Sequence, residues 1–212
     1  MSHFFVCQHC GECCKRYDII IMPREADRQA KYLNLGLKNF VQTKTRLFLQ
    51  IFFSDYSDSK LVIQSSFLPK RIVERFKERV GALPNFFVAL PMIALVRNNG
   101  ACVFYDEEKG CLIYEARPLE CILFPFISRG EIKDYSKAYH FCHGLRFKGN
   151  VCYEDFSKIH FKEVFSYCEE IKKKGFSKVW KAWPKKGHLV FEDKTMSEIS
   201  IEEFKQTILP YW

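Results

Sequence analysis

The sequence predicts an α+β fold, in which a small β-sheet or hairpin is surrounded by helices. The first observation is an Asn-Asn-Gly turn between two short apolar runs, which is typical of a β-hairpin. The second is a long pattern of helical period at 155–174. The third is composition: a hydrophobic fraction of 48% and 21 phenylalanines supply enough apolar area for a core. The 212 residues suit one domain with an extension, or two small domains.

The first part of the chain alternates short strands with helices. Residues 17–21 predict a strand, and Pro23 and Glu25 suit the first turn of a helix that ends near Leu33. Apolar residues at helical spacing predict a second helix at 37–53. Three further elements follow, namely a polar loop at 54–60, a strand at 61–67 and a basic amphipathic helix at 69–80.

The middle of the chain is predicted to be mostly β-structure. Strands at 92–97 and 101–105 flank the Asn-Asn-Gly turn, and 106–110 forms a second turn. A short helix is expected within 114–123, and another strand at 138–141. The remainder is predicted to be helical, with the long helix at 155–174, a turn at 185–187 and a terminal helix at 200–209.

Four of the ten cysteines lie within eight residues, as a C-x2-C-x2-C-C motif formed by Cys7, Cys10, Cys13 and Cys14. Thiols this close cannot all form disulfides without severe strain. The C-x2-C spacing lets two sulfurs converge on one soft cation, and C-x2-C-x2-C is also the spacing that wraps iron–sulfur clusters. The motif therefore predicts bound zinc or iron.

Four more cysteines in the middle of the chain complete the candidate ligand set. They are Cys102, Cys111, Cys121 and Cys142. Together the eight thiols predict a metal site that joins the N-terminal loop to the central segment.

With these pieces in place, the chain resembles the CxxCxxCC cysteine-cluster proteins, the YkgJ-like group described as zinc- or iron-chelating domains. The matching pieces follow one order and are Cys7 to Cys14, Gly100 to Tyr105, Gly110 to Pro118, Cys121 with Phe124 and Pro125, and Cys142 to Gly144. The resemblance implies a metal centre in a chelating domain at 1–145. Residues 146–212 lie outside it and are expected to form a helical C-terminal extension packed on that domain. Some relatives are flagellin lysine N-methylases with an iron–sulfur centre.

The chain departs from this family pattern at two positions. His143 stands where a proline is expected between the last cysteine and glycine. Ile122 follows Cys121 where the family often has arginine, which leaves Arg117 as the nearby cation for the charge of the site.

The thiols alone leave the metal and its ligand set open. Zinc predicts two closed tetrahedral sites of four thiolates each. Iron predicts three ligands from the first cluster and a fourth from the middle segment. Adjacent side chains point in different directions, so Cys13 and Cys14 either serve two neighbouring centres or only one of them is a ligand.

Several other residues have simpler interpretations. Cys152 matches no motif, and Cys168 is predicted to be a buried residue of the long helix. Arg117 suits hydrogen bonding to thiolates and pairing with Glu115 or Glu120 equally well. The remaining candidates are expected to be surface or outer-sphere groups: His9, His140 and His143, the acidic turn at 106–108, and the lysines of the C-terminal helices.

The net charge and the absence of several sequence motifs argue against some classes of function. The formal charge of +8 partly offsets an anionic centre, because four thiolates around a divalent ion carry about −2, so nucleic-acid binding is less favoured. No run is apolar for the roughly 18 residues of a membrane span, and no signal peptide is evident, so we expect the reducing cytoplasm. The C-x3-C-x2-C motif of radical enzymes, the G-x-G-x-x-G loop and the P-loop are absent.

Two functions fit the sequence. The first is a cysteine-rich protein that holds an iron–sulfur cluster or zinc and serves redox or group-transfer chemistry akin to protein methylation. The second is a non-enzymatic module, stabilised by zinc, that binds a protein or nucleic-acid partner. Whether the chain is an enzyme is left open. Both functions predict that Cys10→Ser releases the metal and that Cys168→Ser does not.

Overall fold

The computed structural model describes residues 3–4, 7–53, 62–64, 70–81, 86–126, 135–148, 153–191 and 194–211. The chain divides into two compact units. The cysteine unit comprises Met1–Leu37 and Leu95–Glu170, and the sheet unit comprises Lys38–Ala94 and Ile171–Trp212. All eight candidate ligands belong to the cysteine unit. Helices, a mixed sheet and small hairpins confirm the predicted α+β class.

The described residues form the following strands and helices. The strands are β1 (His3–Phe4), β2 (Ile20–Ile21), β3 (Thr45–Phe53), β4 (Val62–Gln64), β5 (Phe86–Leu95), β6 (Arg97–Asn98), β7 (Ala101–Cys102), β8 (Tyr105–Asp106), β9 (Gly110–Cys111), β10 (Phe147–Lys148), β11 (Gly187–Phe191) and β12 (Lys194–Ile199). The helices are α1 (Glu12–Arg16), α2 (Pro23–Tyr32), α3 (Leu37–Lys44), α4 (Lys70–Val80), α5 (Leu119–Leu123), α6 (Tyr135–Ala138), α7 (Tyr153–Lys174), α8 (Phe176–Val179) and α9 (Ile201–Thr207). Short 3₁₀ turns occur at Tyr114–Ala116, His143–Arg146 and Leu209–Tyr211.

The cysteine unit contains α2, most of α7, several short helices and three two-stranded ladders. β1 pairs antiparallel with β10, β6 with β7, and β8 with β9. In the last two ladders Arg97 lies opposite Cys102 and Tyr105 lies opposite Cys111. Each hairpin therefore carries one candidate ligand in its second strand.

The sheet unit contains the larger sheet, in the strand order β12-β11-β3-β5, with β4 also paired to β5. β11 runs parallel to β3, with Gly187 opposite Leu47, and antiparallel to β12. An aromatic core of Phe176, Trp183 and Phe204 packs with ring centroids 5.1–5.9 Å apart. This unit therefore has an apolar core of its own.

Several predicted elements are confirmed. Helices α2, α4, α7 and α9 lie where helices were predicted, at 22–33, 69–80, 155–174 and 200–209. The strands predicted at 17–21 and 61–67 are present in shorter form as β2 and β4. The polar loop at 54–60 lies outside the described residues, as does Cys152.

The helix predicted at 37–53 is wrong beyond Lys44, where the chain changes to strand β3. Thr45 ends the helix, and its Oγ1 donates a hydrogen bond to the Val41 carbonyl at 2.6 Å. The following residues then pair with β11. A run of apolar residues fits a buried strand as well as a buried helix, so the periodicity alone could not separate them.

The predicted hairpin at 92–105 is smaller than expected. Its turn is confirmed, since Asn99 and Gly100 have φ values of 50° and 80°, but its strands are only β6 and β7. Residues 92–95 instead continue the long strand β5, which begins at Phe86.

Three further predictions need correction. The helix expected within 114–123 is a 3₁₀ turn followed by α5, with Arg117 and Pro118 between them. The strand expected at 138–141 is wrong, because this segment is the end of α6 and a turn closed by the Cys142 N–H donating to the Tyr139 carbonyl. The strands β11 and β12 were not predicted in the C-terminal part.

The division of the chain into 1–145 and 146–212 followed the cysteine motifs, and it stays a prediction. Within the described residues, no helix has the length and apolar character that crossing a membrane would require.

Candidate metal centre

The cysteine motif begins in a loop and ends in a short helix. Cys7 and Cys10 lie in the loop, and Cys13 and Cys14 lie in the first turns of α1. Gly11 joins the two parts with φ 73°, a left-handed conformation that glycine adopts without strain. The Lys15 N–H donates to the Gly11 carbonyl at 3.0 Å and so closes the first helical turn.

Gly11 also permits a close approach to the second hairpin. A Cβ atom at this position would lie 2.0 Å from Cε2 of Tyr105, far inside van der Waals contact. In that hairpin, Asp106 Oδ1 accepts the N–H groups of Glu108 and Lys109 at 2.9 and 2.8 Å. The acidic turn is therefore held by its own backbone, which agrees with the interpretation of a surface loop.

Cys121 lies in α5. Hydrogen bonds join this helix to the segment that follows α1. Glu25 of α2 accepts the Leu119 N–H at 2.5 Å through Oε1 and the Met22 N–H at 2.7 Å through Oε2. Glu120 Oε2 accepts the Ile20 N–H at 2.7 Å. The two carboxylates thus tie the Cys121 helix to residues close behind the cysteine motif.

Cys142 is buried in a small apolar cluster. Phe124, Phe126 and Leu145 form this cluster with it, and Cys13 packs against it. A motif cysteine and a middle-segment cysteine therefore meet in one apolar environment.

A cavity of about 40 Å³ lies between these segments. Five thiols line it, those of Cys7, Cys10, Cys13, Cys121 and Cys142. The aromatic rings of Phe124 and Phe141 also form part of its wall. One water molecule needs about 10–15 Å³ of such space, so the cavity has room for an ion.

The remaining predicted ligands, Cys14, Cys102 and Cys111, do not line this cavity. Cys14 forms a side-chain hydrogen bond with Cys13, and this bond is the main reason that the pKa of Cys13 is raised, followed by burial. The role of all eight thiols as ligands stays a prediction.

The thiols of the middle segment influence one another electrically. Burial is the main cause that raises the pKa of Cys102, to about 11, and it also raises the pKa values of Cys111, Cys121 and Cys142. For all four, a negative charge on Cys13 raises the pKa further. Charge on Cys13 thus adds to the effect of burial at each of these four thiols.

The donor chemistry fits zinc or iron, because soft sulfur ligands in an apolar cavity suit both metals. Within the described residues, no three His, Cys, Asp or Glu side chains stand as close together as ligands of one ion. To bind a metal ion, the thiols would thus have to move closer together. They would also have to lose their protons, although burial favours the protonated form.

The three histidines near the cysteines do not line the cavity and are exposed. His9 stacks on Tyr114 with ring centroids 4.0 Å apart, and His140 contacts Phe141 edge-on at 5.8 Å. Cys168 is buried in α7, as predicted. The sequence did not predict that Glu120 accepts a hydrogen bond from the Ile20 N–H. It predicted a role for Glu25 only at the start of α2, and not its hydrogen bond to the N–H of Leu119. The available signal was the position of Glu25 as the third residue of α2.

Comparison with known proteins identifies the family. The family model CxxCxxCC, described as a putative zinc- or iron-chelating domain, matches residues 6–143. The chain belongs to the CxxCxxCC family. The match covers all eight candidate ligands and confirms the resemblance carried by the cysteine motifs. No curated protein and no solved structure significantly matches this CxxCxxCC chain.

Proposed function

We propose that the cysteine unit holds one iron–sulfur centre and uses it in redox chemistry. Cys7, Cys10 and Cys13 supply three ligands, and Cys121 or Cys142 supplies the fourth. The observation that supports this proposal is that those five thiols, and not Cys14, line one cavity. At about 40 Å³ the cavity has room for an ion, so a cluster would require the surrounding segments to open around it. The family description supports zinc or iron in general, and the choice of iron is our own.

The distribution of the thiols favours iron over zinc. Two closed zinc sites would divide eight thiols into two groups of four. Here five thiols line one cavity and three lie outside it. A C-x2-C-x2-C run with one distant cysteine is a recurring arrangement around iron–sulfur clusters. Such a centre would join the N-terminal loop to the central segment.

An iron–sulfur centre supplies one-electron transfer when it is bound. The chain contributes the environment of that centre. Phe124 and Phe141 give the cavity an apolar wall that limits access of water, and the Arg16 guanidinium lies 4.5 Å from the centre of the Phe141 ring. Burial and nearby charge are the means by which a protein sets the potential of such a centre. The proposal expects a reducing compartment such as the cytoplasm, where free thiols persist.

Metal analysis of protein purified without oxygen tests the proposal. We expect a brown protein with iron and sulfide near about four per chain. About one or two zinc ions in a colourless protein would overturn the iron assignment and support the zinc-stabilised module instead. Absence of both metals would overturn metal binding as the function.

Adjacent Cys13 and Cys14 provide a matched pair of variants. We expect Cys13→Ser and Cys10→Ser to lose the centre, because both thiols line the cavity. Cys14→Ser and Cys168→Ser should keep it, and all four proteins are compared by iron content and visible absorption. Loss of the centre in Cys14→Ser, with retention in Cys13→Ser, would reverse the ligand assignment.

A further inference from the structure

Arg117 occupies an unusual position beside the metal-binding loop. It follows the 3₁₀ turn and precedes α5, and its guanidinium carbon lies 3.8 Å from the centre of the Tyr114 ring. The same ring stacks on His9 with centroids 4.0 Å apart and an angle of 26° between the planes. His9, Tyr114 and Arg117 thus form one stack that reaches the middle of the cysteine motif.

Two of the three guanidinium nitrogens of Arg117 are buried and have unused hydrogen-bonding capacity. Its Nε and Nη1 atoms are inaccessible to solvent and have no hydrogen-bond partner among the described residues. Among the described residues, neither Glu115 nor Glu120 forms an ion pair with the Arg117 guanidinium. Buried N–H groups of a cation without acceptors cost free energy, so their retention calls for a partner.

The position of Arg117 is fixed by its backbone. Arg28 Nη2 donates a hydrogen bond to the Arg117 carbonyl at 2.8 Å, and Glu25 holds the nearby Leu119 N–H. The cation is therefore held in place by both its stacked side chain and its anchored main chain.

The stack lies beside segments that carry candidate ligands. His9 stands between Cys7 and Cys10 in the chain. A Cβ atom added at Gly110, the residue before Cys111, would lie 3.3 Å from the Cβ atom of His9. Arg117 is thus held close to segments whose thiols would become negative on metal binding.

We propose that Arg117 is a positioning residue that compensates the negative charge of the metal-bound thiolates of the cysteine motif. The proposal rests on the proposed function, because metal-free thiols at neutral pH offer no such charge. Four thiolates around a divalent ion carry about −2, and arginine stays protonated at any working pH. The buried N–H groups would then gain acceptors only in the metal-bound protein.

The test compares Arg117→Met, which removes the charge, with Arg117→Lys, which keeps it without the planar group. Zinc binding to the reduced full-length chain is measured by competition with a chelator. We expect Arg117→Met to bind about 10- to 100-fold more weakly, as for other partners of metal ligands, and Arg117→Lys to recover part of the loss. Arg24→Met, which removes one exposed positive charge from α2, is the matched control and should bind like wild type.

A second measurement separates charge compensation from a purely structural role. Urea unfolding of the metal-free proteins should show no loss of stability in Arg117→Met, because the variant removes two buried unpaired N–H groups. A loss of stability in the metal-free variant, equal to that in the metal-bound one, would overturn the proposal. So would equal zinc affinity in wild type and Arg117→Met. If wild type binds neither zinc nor iron, the proposed function fails, and the role of Arg117 falls with it.

Discussion

Gly11 shows how a single residue shapes the metal-binding loop. Its φ of 73° is accessible to alanine only at a cost of about 1–2 kcal/mol. A side chain there would also collide with the Tyr105 ring, whose Cε2 atom would lie 2.0 Å from the new Cβ. The backbone strain and the collision act together at this position.

We therefore predict that Gly11→Ala lowers the free energy of unfolding by about 3 kcal/mol and releases the metal. The control is Gly81→Ala in the sheet unit. Gly81 has a similar φ of 77°, and no atom of the described chain lies within 4 Å of its added Cβ. That variant should lose only about 1 kcal/mol and keep its metal. Urea unfolding and metal analysis measure both effects, and equal losses in the two variants would contradict the prediction.

The cavity thiols make metal binding dependent on pH. The pKa of Cys13 is raised by its hydrogen bond with Cys14 and by burial, and the pKa values of Cys121 and Cys142 are raised chiefly by burial. These thiols are protonated at neutral pH in the metal-free protein, so each ligand must release its proton on binding. Affinity must then fall as the pH falls.

With Cys13 and one middle-segment cysteine as ligands, at least two protons are released. We predict that zinc affinity rises about 100-fold or more for each pH unit between about 6.5 and 8.5. The increase in zinc affinity should not level off near the top of this pH range, because the raised pKa values keep these thiols protonated in the metal-free protein at that pH. Chelator competition across this range measures the slope, and calorimetry in two buffers counts the protons. A slope below tenfold per unit would show that these thiols are not ligands.

At the scale of elements, Glu25 connects two helix N-termini with one carboxylate. It accepts the Met22 N–H in front of α2 and the N–H of Leu119, the first residue of α5. Burial raises the pKa of this carboxyl, and the two N–H groups partly counter that effect. Loss of the side chain would leave both donors without their acceptor.

We predict that Glu25→Ala lowers the free energy of unfolding by about 3 kcal/mol, since each of two hydrogen bonds to a charged acceptor contributes about 1.5 kcal/mol or more. It should also weaken metal binding, because α5 carries Cys121. Asp27→Ala on the same helix is the control. The Asp27 side chain is 47% exposed and forms an i,i+4 pair with Lys31 at 2.6 Å, so its loss should cost about 0.5 kcal/mol. A similar loss in the two variants by urea unfolding would contradict a special role of Glu25.

Local signals predicted some elements well and others poorly. The Asn-Asn-Gly turn was placed correctly, because its positive φ values are a property of those residues. The segment 37–53 was predicted as one helix, although β3 begins at Thr45. The decisive contact is distant: the Leu47 N–H donates to the Lys186 carbonyl at 2.9 Å as β3 pairs with β11. A strand that depends on a partner about 140 residues away leaves little local trace.

The candidate site was predictable in its chemistry but not in its arrangement. The local C-x2-C-x2-C-C spacing predicted the first four candidate thiols, and the family resemblance supported the four of the middle segment. The sequence did not separate the five cavity thiols from Cys14, Cys102 and Cys111, because that division depends on how the hairpins fold back. It also left Arg117 equally suited to thiolates and to acidic neighbours. The unpartnered Nε and Nη1 atoms argue against pairing with Glu115 or Glu120, and only the folded chain shows them.

On the scale of the whole molecule, we expect the two units to depend on metal to different degrees. Around its cysteines, the cysteine unit has short helices and two-stranded ladders, which stabilise a fold only weakly on their own, and its longer helices are α2 and most of α7. The sheet unit has a longer sheet and the aromatic core of Phe176, Trp183 and Phe204. Because all candidate ligands lie in the cysteine unit, metal binding adds its free energy there.

We predict that metal removal loosens the cysteine unit and leaves the sheet unit protected. In hydrogen exchange followed by mass spectrometry, amides of α2, β6 to β9 and α5 should exchange at least tenfold faster in the metal-free chain. Amides of β3 and β11, whose ladder involves no thiol, should exchange at the same rate with and without metal. Cys168→Ser serves as the control, because it should show the same metal dependence as wild type. Equal acceleration in both units would mean that metal stabilises the whole chain, and no change in either would mean that the thiols bind metal without supporting the fold.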